Sequence, residues 1–428
     1  METQNSYEAS VRNAEKLLIT NVFVEIDKIK KYMEDLNSHP EKALKYSKTL
    51  AEILSRHESE AKHMSNDEKK DLVAMRLNEW EENFGSLPLA DMLMLCKQWN
   101  VSIGDVLNEE MTPALIKRML DIYIIGQEDY KRQLAMSFFV HQMKDKLPNG
   151  ISTLPKANLL VCGPSGSGKT YGLQILSQLF NQPMIIIHCN SLVQEGIIGS
   201  SIADYFTSAY LKNKSVEKMK ELVVFFDEFD KLYEKGHYNE TVLNEILSVI
   251  DDNGEIRFAE SHERSSNYIT IPTRDMMFVF TGVFAGLDKI ISGQKLGFGN
   301  ADSCEAQDTK ITPDHLLKYG IKPEIIGRIQ NFTMLSAPTV NEFVAILDSD
   351  QSSPFNEMRS YFTANGIDAV LTDDGKKALA QIACERSLGV RGVKSLLQQV
   401  LNNDMFELDI PQGQQLVISE QYINEHLN

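Results

Sequence analysis

The sequence predicts an α/β protein whose centre is a parallel sheet flanked by helices, with a helical region before it and a mostly helical small domain after it. Short apolar runs between about residues 112 and 336 alternate with segments of helical periodicity, which is typical of a parallel sheet covered on both faces. The first run, 158–162, leads directly into a glycine-rich loop. We therefore expect three regions, over 1–111, 112–336 and 337–428.

The first region has the apolar spacing of amphipathic helices. Steps of four and three residues alternate, as in a coiled coil, along the series Leu18, Val22, Ile26, Ile29, Met33 and Leu36. Pro40 interrupts this stripe, which resumes at Tyr46 as the second arm of a helical hairpin would. The stripe is either packed core or a face that binds a partner, and the spacing alone favours core.

Composition limits the classes of partner. The chain has 428 residues and a formal net charge of −17, which argues against a surface that follows a nucleic-acid backbone. No secretory signal is visible at the start and no apolar run is long enough to span a bilayer, so we expect a cytoplasmic protein without a membrane partner. The five cysteines lie far apart without a C-x-x-C pair, so neither a disulfide framework nor a zinc site is expected.

The glycine-rich loop has the spacing G-x-x-x-x-G-K-T and consists of Gly163, Pro164, Ser165, Gly166, Ser167, Gly168, Lys169 and Thr170. Glycines let the backbone curl so that its N–H groups point at phosphate oxygens, and the following helix adds its positive end. Lys169 is expected to neutralise the β- and γ-phosphates, and the Thr170 hydroxyl to complete a Mg²⁺ shell. The loop therefore predicts a site for ATP with Mg²⁺.

A second element of this site is predicted over 222–230, where the sequence LVVFFDEFD reads as an apolar strand that ends in carboxylates. A strand end beside the glycine loop is where the metal needs a ligand and where water needs a base. We expect Asp227 to hold Mg²⁺ and Glu228 to deprotonate the attacking water. An acidic surface turn is the alternative, and the four apolar residues before Asp227 argue against it.

Several blocks in order resemble the AAA+ ATPases, and more narrowly the ClpX/HslU unfoldases, over about residues 115–418. The block 123–127 is similar to the segment that receives adenine, which implies that role for Ile124 and Ile125. The block 281–287 implies a sensor-1 polar group at Thr281. The blocks 322–328 and 389–392 imply an arginine finger at Arg328, acting on a neighbouring subunit, and a sensor-2 arginine at Arg391, acting within its own subunit.

The resemblance implies an ATP-driven unfoldase that forms a homo-oligomeric ring, expected to be a hexamer, and that pulls protein substrates through a pore. The family's Gly-Tyr-Val-Gly pore loop corresponds here to Gly196, Ile197, Ile198 and Gly199, so an apolar wedge replaces the tyrosine. The family's Ile-Gly-Phe loop, which docks on the ClpP peptidase, corresponds to Leu296, Gly297 and Phe298. A ClpP-type peptidase is therefore the expected partner.

Two other functions remain open at this point. The four-cysteine zinc domain that precedes the core in ClpX is not matched here, since Cys96 is the one cysteine before the core. Together with the altered pore loop, this difference leaves room for an AAA+ remodelling or scaffold ATPase that acts on one complex without a peptidase. A nucleic-acid translocase is disfavoured by the net charge.

Overall fold

The protein is described by a computed structural model over residues 102–103, 111–143, 156–192, 200–234, 239–262, 267–292, 310–349, 352–408 and 415–427. The chain divides into two compact units, one formed by Met1–Met119 with Ile175–Gln182, the other by Leu120–Gln174 with Pro183–Asn428. In the described part of the first unit, Leu115, Ile116 and Met119 are buried. No helix among the described residues is long and apolar enough to cross a membrane.

The helices up to the middle of the chain alternate with strands and are α1 (Pro113–Tyr123), α2 (Glu128–Met143), α3 (Tyr171–Leu179), α4 (Ile202–Asn213), α5 (Val216–Lys220), α6 (Lys231–Glu234) and α7 (Asn239–Ile250). The later helices are α8 (Leu287–Ile291), α9 (Pro313–Tyr319), α10 (Pro323–Ile326), α11 (Val340–Asp348), α12 (Phe355–Ala364), α13 (Asp373–Glu385), α14 (Val390–Glu407) and α15 (Glu420–Leu427). Thr112 followed by Pro113 predicts a helix start, with a capping hydroxyl and a proline at the first helical position. The structure confirms it, since α1 begins at Pro113 and the amide of Leu115 donates to the Thr112 hydroxyl.

The strands are β1 (Leu159–Cys162), β2 (Met184–His188), β3 (Val223–Asp227), β4 (Glu255–Ala259), β5 (Tyr268–Pro272), β6 (Met277–Gly282), β7 (Asn331–Met334), β8 (Asp368–Leu371) and β9 (Gln415–Ile418). Five of them form the predicted parallel sheet, in the order β2-β3-β6-β1-β7. β4 and β5 form an antiparallel hairpin, and β8 pairs with β9 in parallel. The sheet order brings the carboxyl ends of β1, β3 and β6 together, and the glycine-rich loop, Asp227 and Thr281 lie there.

One face of the sheet packs on the main hydrophobic core. Alternate residues of neighbouring strands point into it because side chains alternate faces along a strand; among them are Leu160, Ile187, Phe226 and Phe280. The rings of Phe226 and Phe280 stack in parallel with their centroids 5.1 Å apart. β3 and β6 therefore reach the site with their ends held rigidly by aromatic packing.

A separate hydrophobic core is built by the elements from α11 to α15 with β8 and β9. Its fully buried members include Phe362, Leu379, Leu397 and Ile418. The capping box at Thr339 and Glu342 starts α11 directly after the last strand of the main sheet. The chain thus forms two hydrophobic cores that are connected by residues 335–339, and this connection lies beside the glycine-rich loop.

Candidate functional site

The phosphate loop connects the end of β1 to the start of α3. Gly163, Gly166 and Gly168 all have positive φ, of 152°, 74° and 93°. A Cβ at Gly163 would also lie 2.8 Å from the carbonyl oxygen of Leu335, so both conformation and space require glycine there. Inside the loop the Ser167 hydroxyl donates to the carbonyl of Pro164 at 2.9 Å. The loop is therefore a pre-formed turn of the kind that directs amides at an anion.

Lys169 extends into this loop. Its ammonium donates to the carbonyls of Gly163 at 2.8 Å and Pro164 at 2.7 Å. Burial lowers the pKa of Lys169 and the nearby Arg391 guanidinium lowers it further, whereas the carboxylate of Asp227 raises it. Arg391 and Asp227 therefore both lie within electrostatic reach of Lys169, as the predicted site requires.

Asp227 ends β3, and the carboxylate is held from the neighbouring strand. The Thr281 hydroxyl, which is fully buried, donates to Asp227 Oδ1 at 2.8 Å, and the amide of Glu228 donates to the same oxygen at 3.0 Å. Carboxylate and hydroxyl oxygens are the ligands that Mg²⁺ takes in proteins, so the donor set of Asp227 and Thr170 fits that ion. This hydrogen bond explains why a polar side chain, that of Thr281, occupies a fully buried position of β6.

Glu228 has an unusual backbone conformation. Its φ is +56°, in the left-handed region that non-glycine residues rarely adopt. The next residue is anchored, since the amide of Phe229 donates to the carbonyl of Thr281 at 2.8 Å. The strained turn leaves the Glu228 side chain exposed beside the buried end of β3. Such strain is typical of residues held in place for function.

The two isoleucines predicted to receive adenine contact different surroundings. Ile124 lies against α3, the helix that follows the phosphate loop. It is so close to Gly172 of this helix that a Cβ added there would be 2.9 Å from Ile124 Cδ1. Ile125 packs against the second hydrophobic core. The buried Lys131 fixes this segment by donating to the Ile124 carbonyl at 3.4 Å and pairing with Asp121 at 2.5 Å.

Arg391 lies at the start of α14, and this helix touches the phosphate loop. The amide of Val390 donates to the carbonyl of Gly166 at 3.1 Å. The contact is tight, since a Cβ at Gly389 would lie 2.5 Å from the same carbonyl oxygen. Arg391 is the second residue of this helix and therefore lies next to the contact with the phosphate loop.

The contacts of Arg328 lie away from the phosphate loop. Its Nε and Nη2 donate to Asp251 Oδ2 at 2.9 and 2.5 Å, and Nη1 donates to the carbonyl of Glu324 at 2.9 Å. The guanidinium is about one-third exposed.

Three further residues at the site were not identified from the sequence. The Gln127 side chain makes two hydrogen bonds of 3.1 Å with the backbone of Ser336, across the junction of the two cores. The buried Asn158 side chain donates to the carbonyl of Arg328 at 2.7 Å. His188 ends β2 in register with Asp227, and its Nδ1 lies 3.9 Å from Asp227 Oδ2. Only position gave a signal for them, within the block 123–127 or at a strand end.

Two groups of predicted residues lie outside the described residues. They are the pore-loop segment, Gly196, Ile197, Ile198 and Gly199, and the docking segment, Leu296, Gly297 and Phe298. The predicted helical stripe in the region 1–111 lies outside them as well.

Comparison with known proteins agrees with this geometry. Residues 154–332 match the AAA domain (Cdc48 subfamily). A protein of Treponema denticola named ATP-dependent Clp protease ATP-binding subunit ClpX is 28% identical over 338 residues, which cover 73% of this chain and 81% of that protein. Its namesake from Borrelia duttonii is 29% identical over 329 residues, covering 71% of this chain and 76% of that protein.

The subunit named ClpX 2 from Wolinella succinogenes is 27% identical over 316 residues, covering 71% of this chain and 79% of that protein. These alignments, of 316 to 338 residues, are longer than the AAA match. The AAA match and the ATP-binding subunits among the relatives indicate an ATPase. The chain therefore carries an AAA domain over residues 154–332 and is similar to ClpX over 71–73% of its length.

Proposed function

We propose that this ATPase is a protein unfoldase and the ATP-binding subunit of a Clp-type protease. It works as a homo-oligomeric ring, expected to be a hexamer, that pulls polypeptide through a central pore toward a ClpP-type peptidase. The names of the relatives support the proposal, because they are ATP-binding subunits of an ATP-dependent Clp protease. The observation that carries it is the hydrogen bond from the amide of Val390 to the carbonyl of Gly166.

This bond supports mechanical work because it joins two separately packed hydrophobic cores at the phosphate loop. A change in the phosphate loop changes the surroundings of α14, and α14 carries Val393, Leu397 and Leu401 into the second core. Packed cores respond to such a change by rotating as bodies rather than by deforming. Arg391, at the same helix start, adds a charge that responds to the phosphates within its own subunit.

We assign the steps of hydrolysis to residues around the end of β3. Glu228 removes a proton from the attacking water, and Lys169 holds the β- and γ-phosphates. Asp227 and Thr170 would hold Mg²⁺, which supplies neutralisation of phosphate charge. Thr281 orients Asp227 through its 2.8 Å hydrogen bond. Ile124 and Ile125 contact the adenine.

Arg328 acts on the nucleotide of the neighbouring subunit, so that hydrolysis depends on assembly. A guanidinium stays charged at all relevant pH values and matches phosphate geometry. The contacts of Arg328 with Asp251 and Glu324 leave its side chain about one-third exposed, which supports a role across an interface.

Substrate and peptidase contacts are assigned to the two loops that carry family-like residues. Ile197, between Gly196 and Gly199, would press on an extended polypeptide as an apolar wedge. Phe298, with Leu296 and Gly297, would insert into a pocket of the peptidase, and repetition around the ring would strengthen this weak contact.

The test is a coupled degradation assay. The full-length protein is incubated with ATP, a stably folded fluorescent reporter bearing candidate degradation tags, and the ClpP-type peptidase of the same organism. We expect fluorescence to fall and peptides to appear with the wild type, unfolding without peptides with Phe298→Ala, and ATP hydrolysis without unfolding with Ile197→Ser. If ATP is hydrolysed while every reporter stays folded and the peptidase stays unbound, the protein is a remodelling ATPase and the proposal fails.

A further inference from the structure

Arg328 is held by its own chain at both its backbone and its side chain. The Arg328 carbonyl accepts a hydrogen bond of 2.7 Å from Asn158, whose own oxygen accepts the amide of Phe278 at 3.3 Å. The guanidinium donates twice to one oxygen of Asp251, at 2.9 and 2.5 Å, and once to the carbonyl of Glu324. Among the described residues these bonds use three of its five N–H groups, so two remain for a phosphate.

The residue that holds Arg328 is itself fixed in place. Asp251 directly follows α7, and the buried ammonium of Lys156 donates to its carbonyl at 2.5 Å and to the Thr273 hydroxyl at 3.1 Å. The amide of Asn253 donates to Asp251 Oδ1 at 3.3 Å. The hydrogen bond from Arg328 lowers the pKa of Asp251, so this carboxylate stays ionised at neutral pH. A charged, immobile acceptor therefore faces the guanidinium.

We propose that Asp251 is the residue that positions Arg328 for catalysis on the neighbouring subunit. This inference rests on the proposed trans role of Arg328. A long arginine side chain samples many rotamers, and an aligned carboxylate on one edge of the guanidinium selects the few that present the opposite edge. In this role Asp251 affects ATP hydrolysis through Arg328 and not by contact with ATP.

A purely structural role would give a different result. The two side chains are 36% and 38% exposed, and ion pairs this exposed contribute little to folding stability. Loss of Asp251 should therefore leave the fold and the ring intact and should appear in the rate of hydrolysis.

The experiment compares Asp251→Ala, Asp251→Asn and Asp251→Glu in the full-length ring. Asp252→Ala is the matched control, because Asp252 is the adjacent, exposed carboxylate. We expect Asp251→Ala to lower kcat about 10- to 100-fold, the cost typical of a misplaced catalytic group, with KM for ATP changed less than about twofold. Asp251→Asn keeps an acceptor without the charge and should lose less, and Asp251→Glu should recover part of the rate. Ring size and Tm should match the wild type.

A double-mutant cycle with Arg328→Ala separates this inference from the proposed function. We expect Arg328→Ala and the double variant with Asp251→Ala to have the same low kcat. If Arg328→Ala keeps normal turnover, the finger assignment itself fails. If Arg328→Ala is inactive while Asp251→Ala hydrolyses ATP at or above the wild-type rate, only the positioning role fails. A double variant slower than Arg328→Ala would show that Asp251 acts by another route and would also overturn the inference.

Discussion

Thr281→Val tests whether the bond between β6 and β3 serves hydrolysis. Thr281 is fully buried and donates its hydroxyl to Asp227 Oδ1 at 2.8 Å. Valine has nearly the same shape, so the change removes one donor and leaves the packing of β6 almost intact. Asp227 Oδ1 keeps the amide of Glu228 as a donor at 3.0 Å, but the carboxylate loses the contact that fixes its rotation.

The size of the effect follows from the chemistry of this bond. A hydrogen bond to a charged group contributes about 1.5–3 kcal/mol. Because the Asp227 side chain is 26% exposed, water replaces part of the lost bond, and we take the lower end, about 1.5–2 kcal/mol. If that free energy holds Asp227 in its reactive orientation, kcat should fall about 10- to 30-fold, at about 1.4 kcal/mol for each tenfold change.

The structure offers a matched control two strands away, on β7. Val161 of β1 lies between Thr281 on β6 and Thr333 on β7, in register with both. Thr333 is also buried and donates to Asp129 at 2.8 Å, away from the end of β3. Thr333→Val should therefore cost similar stability while leaving kcat within about twofold, since no catalytic group depends on it.

The assay is steady-state ATP hydrolysis as a function of ATP and Mg²⁺ concentration, together with urea unfolding of both variants and of Thr281→Ser. Thr281→Ser keeps the donor and should retain most of the rate. Wild-type kcat and Mg²⁺ dependence in Thr281→Val would refute the reasoning. Equal losses of kcat in the two valine variants would refute it too, because the effect would then come from stability alone.

Two other substitutions test the site, and a labelling experiment tests the burial of the cysteines. Glu228→Gln should bind ATP normally and lose nearly all hydrolysis, because an amide cannot accept the proton of water; near-normal turnover would place the base elsewhere. Gly389→Ala puts a methyl group 2.5 Å from a phosphate-loop carbonyl, so overpacking should cost about 1–3 kcal/mol in urea unfolding and weaken nucleotide binding, and an unchanged affinity would argue against the contact. Burial raises the pKa of Cys162 and Cys189, so maleimide labelling followed by peptide mapping should find both far slower than the half-buried Cys384 at neutral pH.

Much of the sheet could be predicted because most of its strands are continuous apolar runs. The sequence predicts strands at 158–162, 184–188, 222–226, 276–281 and 331–335. The structure has β2 with the predicted bounds, and the ends of β1, β3, β6 and β7 differ from the prediction by at most one residue. The hairpin of β4 and β5 was not predicted as strands, because its buried residues are few and alternate with charged ones such as Glu255 and Arg257. The four-residue β8 was also missed, since its partner β9 lies more than forty residues further along the chain.

In the site, too, residues close together in sequence could be predicted, whereas contacts between residues far apart in sequence could not. The phosphate loop is one continuous stretch of sequence, and Asp227 and Glu228 are neighbouring residues. The local sequence pattern was therefore enough to predict both. The bonds of Arg328 with Asp251 and with Asn158 join residues 77 and 170 positions apart, and no local pattern encodes such a pairing. The same is true of Gln127 and Ser336, which are 209 positions apart.

The left-handed backbone conformation of Glu228 implies that folding stability and ATP hydrolysis favour different residues at this position. A non-glycine residue in the left-handed region lowers the free energy of unfolding by about 1 kcal/mol. Glycine would avoid this loss, but it would also raise the conformational entropy of the unfolded chain, which offsets part of the gain. Glu228→Gly should thus be neutral to folding or stabilise it by up to about 1 kcal/mol, although it removes the carboxylate. Natural drift or laboratory selection for thermal tolerance alone would therefore tend to inactivate the enzyme at this position. A glutamate in this conformation is therefore best explained by the chemistry of its carboxylate.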